Sequence, residues 1–163
     1  MSLFSQIADR ARRTAGMVTL NREVKSEFPA LPGVPGEGRR RNPALMIIQD
    51  RPGSGHMQGF FARRAGKIYR QLLDKEEIDL KDVYITSALK TKPGVKASSL
   101  RLEMVVWRPF LEREIQLVRP RAVILVGRTA REMMQGSREL RRYGRSEREN
   151  AFAEKGASGR AAV

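Results

Sequence analysis

Three short segments hold the side chains best able to do chemistry. The first runs Gln49-Asp50-Arg51-Pro52-Gly53-Ser54-Gly55-His56 and on to Phe60 and Phe61, joining a carboxylate, a glycine-rich turn, the single histidine of the chain and two aromatic rings. The second, Ser87–Gly94, offers hydroxyls with Lys90 and Lys92; the third, Gly127–Arg131, places Arg128 directly after a glycine. A positioned carboxylate can activate water or steady a developing cation, and backbone N–H groups around Gln49 and Gly53 can read the polar edge of a ligand. The glycine turn lacks the GxxxxGK[ST] spacing of a nucleotide-phosphate loop. With no cysteine, disulfides, thiolate zinc sites, iron–sulfur ligation and cysteine nucleophiles are excluded. His56 alone argues against a multi-histidine metal site and a Ser-His-Asp array, and its polar loop setting suits a solvent-exposed residue. The expectation is no metal and no cofactor.

Positioning these segments requires strands that end where they begin. Ala44-Leu45-Met46-Ile47-Ile48 is a continuous apolar run, Val83-Tyr84-Ile85-Thr86 is β-branched and aromatic, and Ala122-Val123-Ile124-Leu125-Val126 is apolar throughout. Helical spacing is found over 2–14, over 61–77 with Ile68, Leu72 and Leu73 on one face, over 98–118 with Pro109 as an interruption, and over 129–135. Residues 29–43, with four prolines and three glycines, read as an irregular connector. The alternation predicts a three-layer α/β/α fold on a short central parallel sheet with strands at 44–49, 83–87 and 122–126, a fourth strand being unassigned. In such sheets ligands sit beyond the carboxyl ends of the strands, where all three segments fall. The expected organisation is one domain over 1–137, with 1–42 as N-terminal helix and connector, and a charged segment over 138–163.

The 163 residues carry 32 Lys plus Arg against 18 Asp plus Glu, a net charge of +14. The excess is +4 over 1–42, +7 over 43–137 and +3 over 138–163, so the folded part is itself basic. That balance suggests a polyanionic partner, DNA above all, because neutralising phosphates releases condensed counterions. Nothing approaches the roughly 20 apolar residues that span a bilayer, and the first residues lack a secretory pattern. The expectation is a cytoplasmic, DNA-associated monomer with no membrane partner.

In order along residues 3–136, several segments resemble family 4 uracil-DNA glycosylases. Gly36-Glu37-Gly38, the strand ALMIIQ, Asp50-Arg51-Pro52-Gly53 and Phe61-Ala62-Arg63-Arg64-Ala65-Gly66 are similar to that family's succession of GEG, apolar strand, GEAPG and F-V-G-R-A-G. Asp82-Val83-Tyr84-Ile85-Thr86-Ser87 resembles its DVYITN strand, Arg108-Pro109-Phe110-Leu111-Glu112-Arg113-Glu114-Ile115 its R-P-F-L-E-R-Q-I, and Val126-Gly127-Arg128 its L-G-R. The resemblance implies a base-excising α/β domain acting on DNA. It implies Asp50 as the water-activating carboxylate, Phe61 as the ring stacked on the base (Phe60 being the second choice), and Ser87 at the position of the uracil-reading Asn. Gln49 and Gly53 would complete the base site. His56, near the family's acidic residue in that loop, is the candidate substitute catalyst.

The departures matter as much. The family's four cluster cysteines correspond to Ala11, Thr14, Thr91 and Trp107, none of which supplies a thiolate; Trp107 is suited to fill part of that space. The closing H-P-S motif is not found. One hydroxyl at Ser87 cannot reproduce the coplanar donor and acceptor of Asn. Phosphate contacts are expected from Arg39, Arg40, Arg41, Lys90, Lys92 and Arg128. The expected function is a glycosylase-like DNA-binding protein with weak, altered or lost excision. The alternative is a non-catalytic DNA-binding or protein-interaction module, with Asp50 a brace for its turn and Phe60 and Phe61 plain core.

Overall fold

The computed structural model describes residues 3–13, 15–26, 33–53, 60–61, 63–92 and 99–135. His56 and Thr14, and the segment 138–163, lie outside the described residues. The elements run α1 (Leu3–Arg13), α2 (Met17–Ser26), β1 (Glu37–Gly38), β2 (Leu45–Gln49), α3 (Arg64–Lys75), a 3₁₀ turn (Leu80–Asp82), β3 (Val83–Ser87), α4 (Leu100–Val118), β4 (Ala122–Val126) and α5 (Arg128–Met134).

The sheet has the order β1-β3-β2-β4. β2 lies between β3 and β4 and is parallel to both, with Gln49 opposite Ser87 on one side and Val126 on the other. The three apolar runs therefore form the parallel centre that their composition predicts. Strand alternation divides their side chains between two cores. Met46, Ile48 and Tyr84 pack beneath α1, α2, α4 and α5, against residues such as Leu20, Trp107, Phe110 and Met133. Leu45, Ile47, Val83 and Ile85 face the other way, against Phe61 and Leu73. Helices on both faces make the three layers.

Four elements differ from the sequence expectation. The connector over 29–43 contains the fourth strand: β1 pairs antiparallel with β3, Glu37 opposite Ile85 and Gly38 opposite Tyr84. Two residues are too few to show alternation, and the pairing depends on glycine, since a Cβ on Gly36 would strike the Tyr84 hydroxyl and Gly38 adopts φ 104°. The helix α2 is not among the elements that periodicity predicts. It is held by only two fully buried anchors, Leu20 and Val24, four residues apart. On α3, Leu73 is buried as expected while Ile68 and Leu72 stay about half exposed. α4 runs as one helix of 19 residues through Pro109, opened by Ser99, whose Oγ accepts from the Leu102 N–H at 3.2 Å.

Candidate functional site

At the carboxyl ends of β2 and β3 the backbone ties two loops together. The Ala88 N–H donates to the Gln49 carbonyl at 2.7 Å and the Leu89 N–H to the Asp50 carbonyl at 3.0 Å. The loop after β2 is further fixed by Arg51, whose guanidinium forks onto Glu103 of α4 at 3.2 and 2.5 Å. A two-pronged Arg–carboxylate contact onto a fully buried Glu103 sets geometry that a single bond could not.

These constraints open a cleft of about 380 Å³, including the space open to solvent, over the face of the sheet that carries Ile85. Gln49, Gly53, Phe60, Ser87 and Glu37 line it. Gln49, Gly53 and Ser87, expected at a base site, are thus brought together. Phe61 is not with them: it is buried in the core against Leu45 and Ile47, and the ring at the cleft is Phe60, 5.0 Å from Phe61 in an edge-to-face contact. The second-choice aromatic replaces the first because consecutive residues on a helical turn point about 100° apart.

Asp50 follows Gln49 and turns to the opposite side of the sheet. Its Oδ1 accepts from the Ala130 N–H at 2.6 Å. Gly127 is the N-cap of α5 at φ 111°, and a Cβ there would fall on the Asp50 carboxylate. Asp50 therefore performs, from a neighbouring strand, the capping that a side chain at Gly127 would otherwise provide. This geometry matches the bracing reading of Asp50, and the carboxylate is not among the residues lining the cleft.

The expected phosphate contacts separate into three groups. Lys92 and Arg128 are exposed near the carboxyl ends of the strands. Arg39, Arg40 and Arg41 are exposed at the amino ends, across a five-residue strand; at about 3.3 Å per residue that is roughly 15 Å from the cleft. There Arg39 pairs with Asp82 at 2.8 Å, and Arg121 reaches the same carboxylate at 3.2 Å. Lys90 cannot contact phosphate, contrary to expectation. It is 0% exposed, with Nζ 2.6 Å from Glu114 Oε2 and 2.8 Å from Thr86 Oγ1. Glu114 also accepts from the Tyr84 hydroxyl at 2.7 Å. Burial and the adjacent Glu114 carboxylate push the Tyr84 phenol well above its ordinary value. This cluster lies behind Ser87, whose carbonyl accepts from Lys90 Nζ at 3.4 Å.

Sequence reasoning assigned no role to Glu37, Thr86 or Glu114. The signal for Glu114 was present as a carboxylate amid the inward positions of α4; that for Glu37 was its place between two glycines.

The positions corresponding to cluster cysteines are filled differently. Ala11, Thr91 and Trp107 are all buried, and the Trp107 indole N–H donates to Thr91 Oγ1 at 2.9 Å. A Cβ on Gly33 would meet the edge of the Trp107 ring at 2.9 Å, so the indole occupies this space tightly. A methyl, a hydroxyl and an indole offer no ligand set for an iron–sulfur cluster. Among the described residues no group of three or more His, Asp or Glu side chains could hold a metal ion.

The sequence profile of the Uracil DNA glycosylase superfamily matches residues 35–159. Similar curated proteins are the Type-4 uracil-DNA glycosylases of Pyrobaculum aerophilum, 29% identical over 96 residues, and of Saccharolobus solfataricus, 32% identical over 98. The match covers 58% of this chain in both cases, and 48% and 45% of those proteins. That of Archaeoglobus fulgidus is 28% identical over 99 residues, covering 60% of this chain and 49% of that protein. The chain spans about half the length of the curated relatives it matches. With its sheet order, its cleft at the strand ends and this profile match, the chain belongs to the uracil-DNA glycosylase superfamily.

Proposed function

We propose that this protein binds DNA inside the cell and presents a nucleobase to the cleft at the ends of β2 and β3, with uracil excision weak or lost. The observation that carries the reading is the register pair Gln49–Ser87, meeting Gly53 and Phe60 where a flipped base would sit. Phe60 supplies the stacking face, and the Gln49 amide and Ser87 hydroxyl supply hydrogen bonds. Two features support weak excision. Ser87 offers one hydroxyl where the resemblance places an Asn, and the Asp50 carboxylate is engaged with the N-terminus of α5. In this reading residues 1–137 form the domain, acting as a monomer without cofactor, and 138–163 is a charged segment that the profile match enters as far as residue 159. Were the unaltered protein to excise at full rate, His56 would be the first candidate for a substitute catalyst.

Lys92 and Arg128 make the phosphate contacts near the cleft. The separate Arg39–Arg41 group serves a longer strand that wraps toward the amino ends of the sheet. Removing one phosphate contact lowers the slope of log K against log salt by about one unit.

Single-turnover cleavage of a uracil-containing oligonucleotide, read after alkali, tests the excision. The expected rate lies far below that of a complete Type-4 enzyme and rises in Ser87→Asn, which returns a planar donor–acceptor pair. A rate unchanged in Asp50→Asn removes Asp50 from the chemistry, and full-rate excision by the unaltered protein refutes the proposal. Affinity for DNA that does not change with salt refutes the electrostatic part.

A further inference from the structure

The cleft has an unexpected charge. In a protein with 32 Lys and Arg residues, the one charged residue among its described lining residues is an acid, Glu37. Register explains how it arrives there. Glu37 on β1 stands opposite Ile85 on β3, so the two side chains share one face of the sheet. Ser87 is two residues beyond Ile85 and therefore on the same face, one pleat of about 7 Å away. Gln49 is directly opposite Ser87. Three adjacent strands thus present Glu37, Ser87 and Gln49 to one space, covered by Phe60 and Gly53. Asp50, the acid that the resemblance favoured, is on the other side of the sheet.

A carboxylate only accepts hydrogen bonds, with about four acceptor positions on its two oxygens. A contact made inside the protein therefore leaves positions for a ligand. Uracil presents two carbonyl acceptors around a single N–H, so a carboxylate beside it faces oxygen against oxygen. A base that presents an exocyclic amine beside a ring N–H, as guanine does, offers two donors in the spacing that a carboxylate accepts. Carboxylates likewise accept from the amino group of cytosine when proteins read base edges.

Resting on the reading of this cleft as a nucleobase site, we propose that Glu37 is its recognition carboxylate and selects a base whose edge donates N–H groups, guanine-like in its paired donors, over uracil. Ser87 and Gln49 adapt to either edge, because a hydroxyl rotates and an amide can present oxygen or nitrogen. Glu37 therefore decides the preference.

Titration of ¹⁵N-labelled full-length protein with guanosine and with uridine tests this, the Gly53 and Ser87 amides serving as reporters. Guanosine should shift both amides with an affinity about tenfold above that of uridine, the discrimination expected of one good two-pronged contact. Glu37→Gln keeps the shape and exchanges an acceptor for a donor, so the preference should fall toward unity, with uridine binding improved. Equal or tighter uridine binding by the unaltered protein overturns the inference while the base-site reading stands. A preference unchanged in Glu37→Gln does the same. If neither nucleoside shifts the two amides, the base-site reading fails and takes the inference with it. The comparison in the unaltered protein is decisive even where the variant folds poorly.

Discussion

Lys90→Met isolates the buried ion pair between Lys90 and Glu114. The ammonium of Lys90 and the carboxylate of Glu114 are 2.6 Å apart at 0% and 1% side-chain exposure. At an effective dielectric constant near 20 their attraction is about 6 kcal/mol. Stripping water from both ions costs several kcal/mol apiece, so the net worth of the pair is small. Removing one partner is different, because the other charge stays inside. Met has nearly the length of Lys and leaves Glu114 with neutral hydroxyl donors, Tyr84 at 2.7 Å and Thr86 at 3.0 Å. The expected loss is about 3–5 kcal/mol, a large part of the 5–15 kcal/mol typical of a domain. Glu114→Leu should cost a similar amount, and the double variant less than the sum of the two, with a coupling of at least about 2–3 kcal/mol. Urea unfolding of the four proteins measures the cycle. A loss below about 1 kcal/mol in Lys90→Met, with no coupling to Glu114, would refute the buried pair and return Lys90 to the surface as a candidate phosphate contact.

Other expectations follow from single contacts. Asp50→Ala should cost about 1 kcal/mol through the lost cap on α5, and Asp50→Asn less, since its amide oxygen still accepts from Ala130; equal losses in urea unfolding would contradict capping. Trp107→Ala should cost about 3–5 kcal/mol by opening a cavity, and Thr91→Val about 1–3 kcal/mol by removing the hydroxyl that accepts from the indole N–H; urea unfolding of each variant measures both. The raised Tyr84 phenol favours the protonated form in the fold, so its contribution is complete below the unfolded-chain value of about 10 and declines above it until pH passes the folded value. Stability against urea should therefore fall more steeply above pH 10 in the unaltered protein than in Tyr84→Phe.

The centre of the fold was readable because β2 and β3 are buried on both faces, while β4, a partly exposed edge, was readable from its continuous apolar run. Leu45-Met46-Ile47-Ile48 needs no alternation to be recognised, since each side chain enters one of two cores. β1 was unreadable for the opposite reason: its two residues carry no pattern, and what fixes them is backbone pairing with Tyr84 and Ile85, far along the chain. Lys90 reads as a surface residue because lysine almost never enters a core without a partner, and its partner Glu114 is 24 residues away on another element. Gln49, Gly53 and Ser87 meet at one cleft because the segments that follow parallel strands gather at the same end of the sheet. Phe60 and Phe61 could not be separated by sequence, since adjacent aromatic residues differ only in the direction each takes from the same turn.

Register decides which acid can reach the cleft. Gln49 is paired with Ser87, so the following residue, Asp50, emerges on the side of Met46 and Ile48, where Ala130 and Gly127 wait. Bringing Asp50 to the cleft by a one-residue slip of β2 would carry Met46 and Ile48 out of the larger core and drive Leu45 and Ile47 into it. Four buried side chains hold the register against that exchange. Local rearrangement after Gln49 is opposed as well, by the Arg51–Glu103 fork and by the Leu89 N–H on the Asp50 carbonyl. Glu37 meets no such obstacle, because β1 is an edge strand whose register already sets the carboxylate beside Ile85 and Ser87. The same pleat that withdraws one carboxylate from the cleft thus supplies another, and under the proposed reading of the cleft as a base site that second carboxylate brings acceptors where uracil already has two.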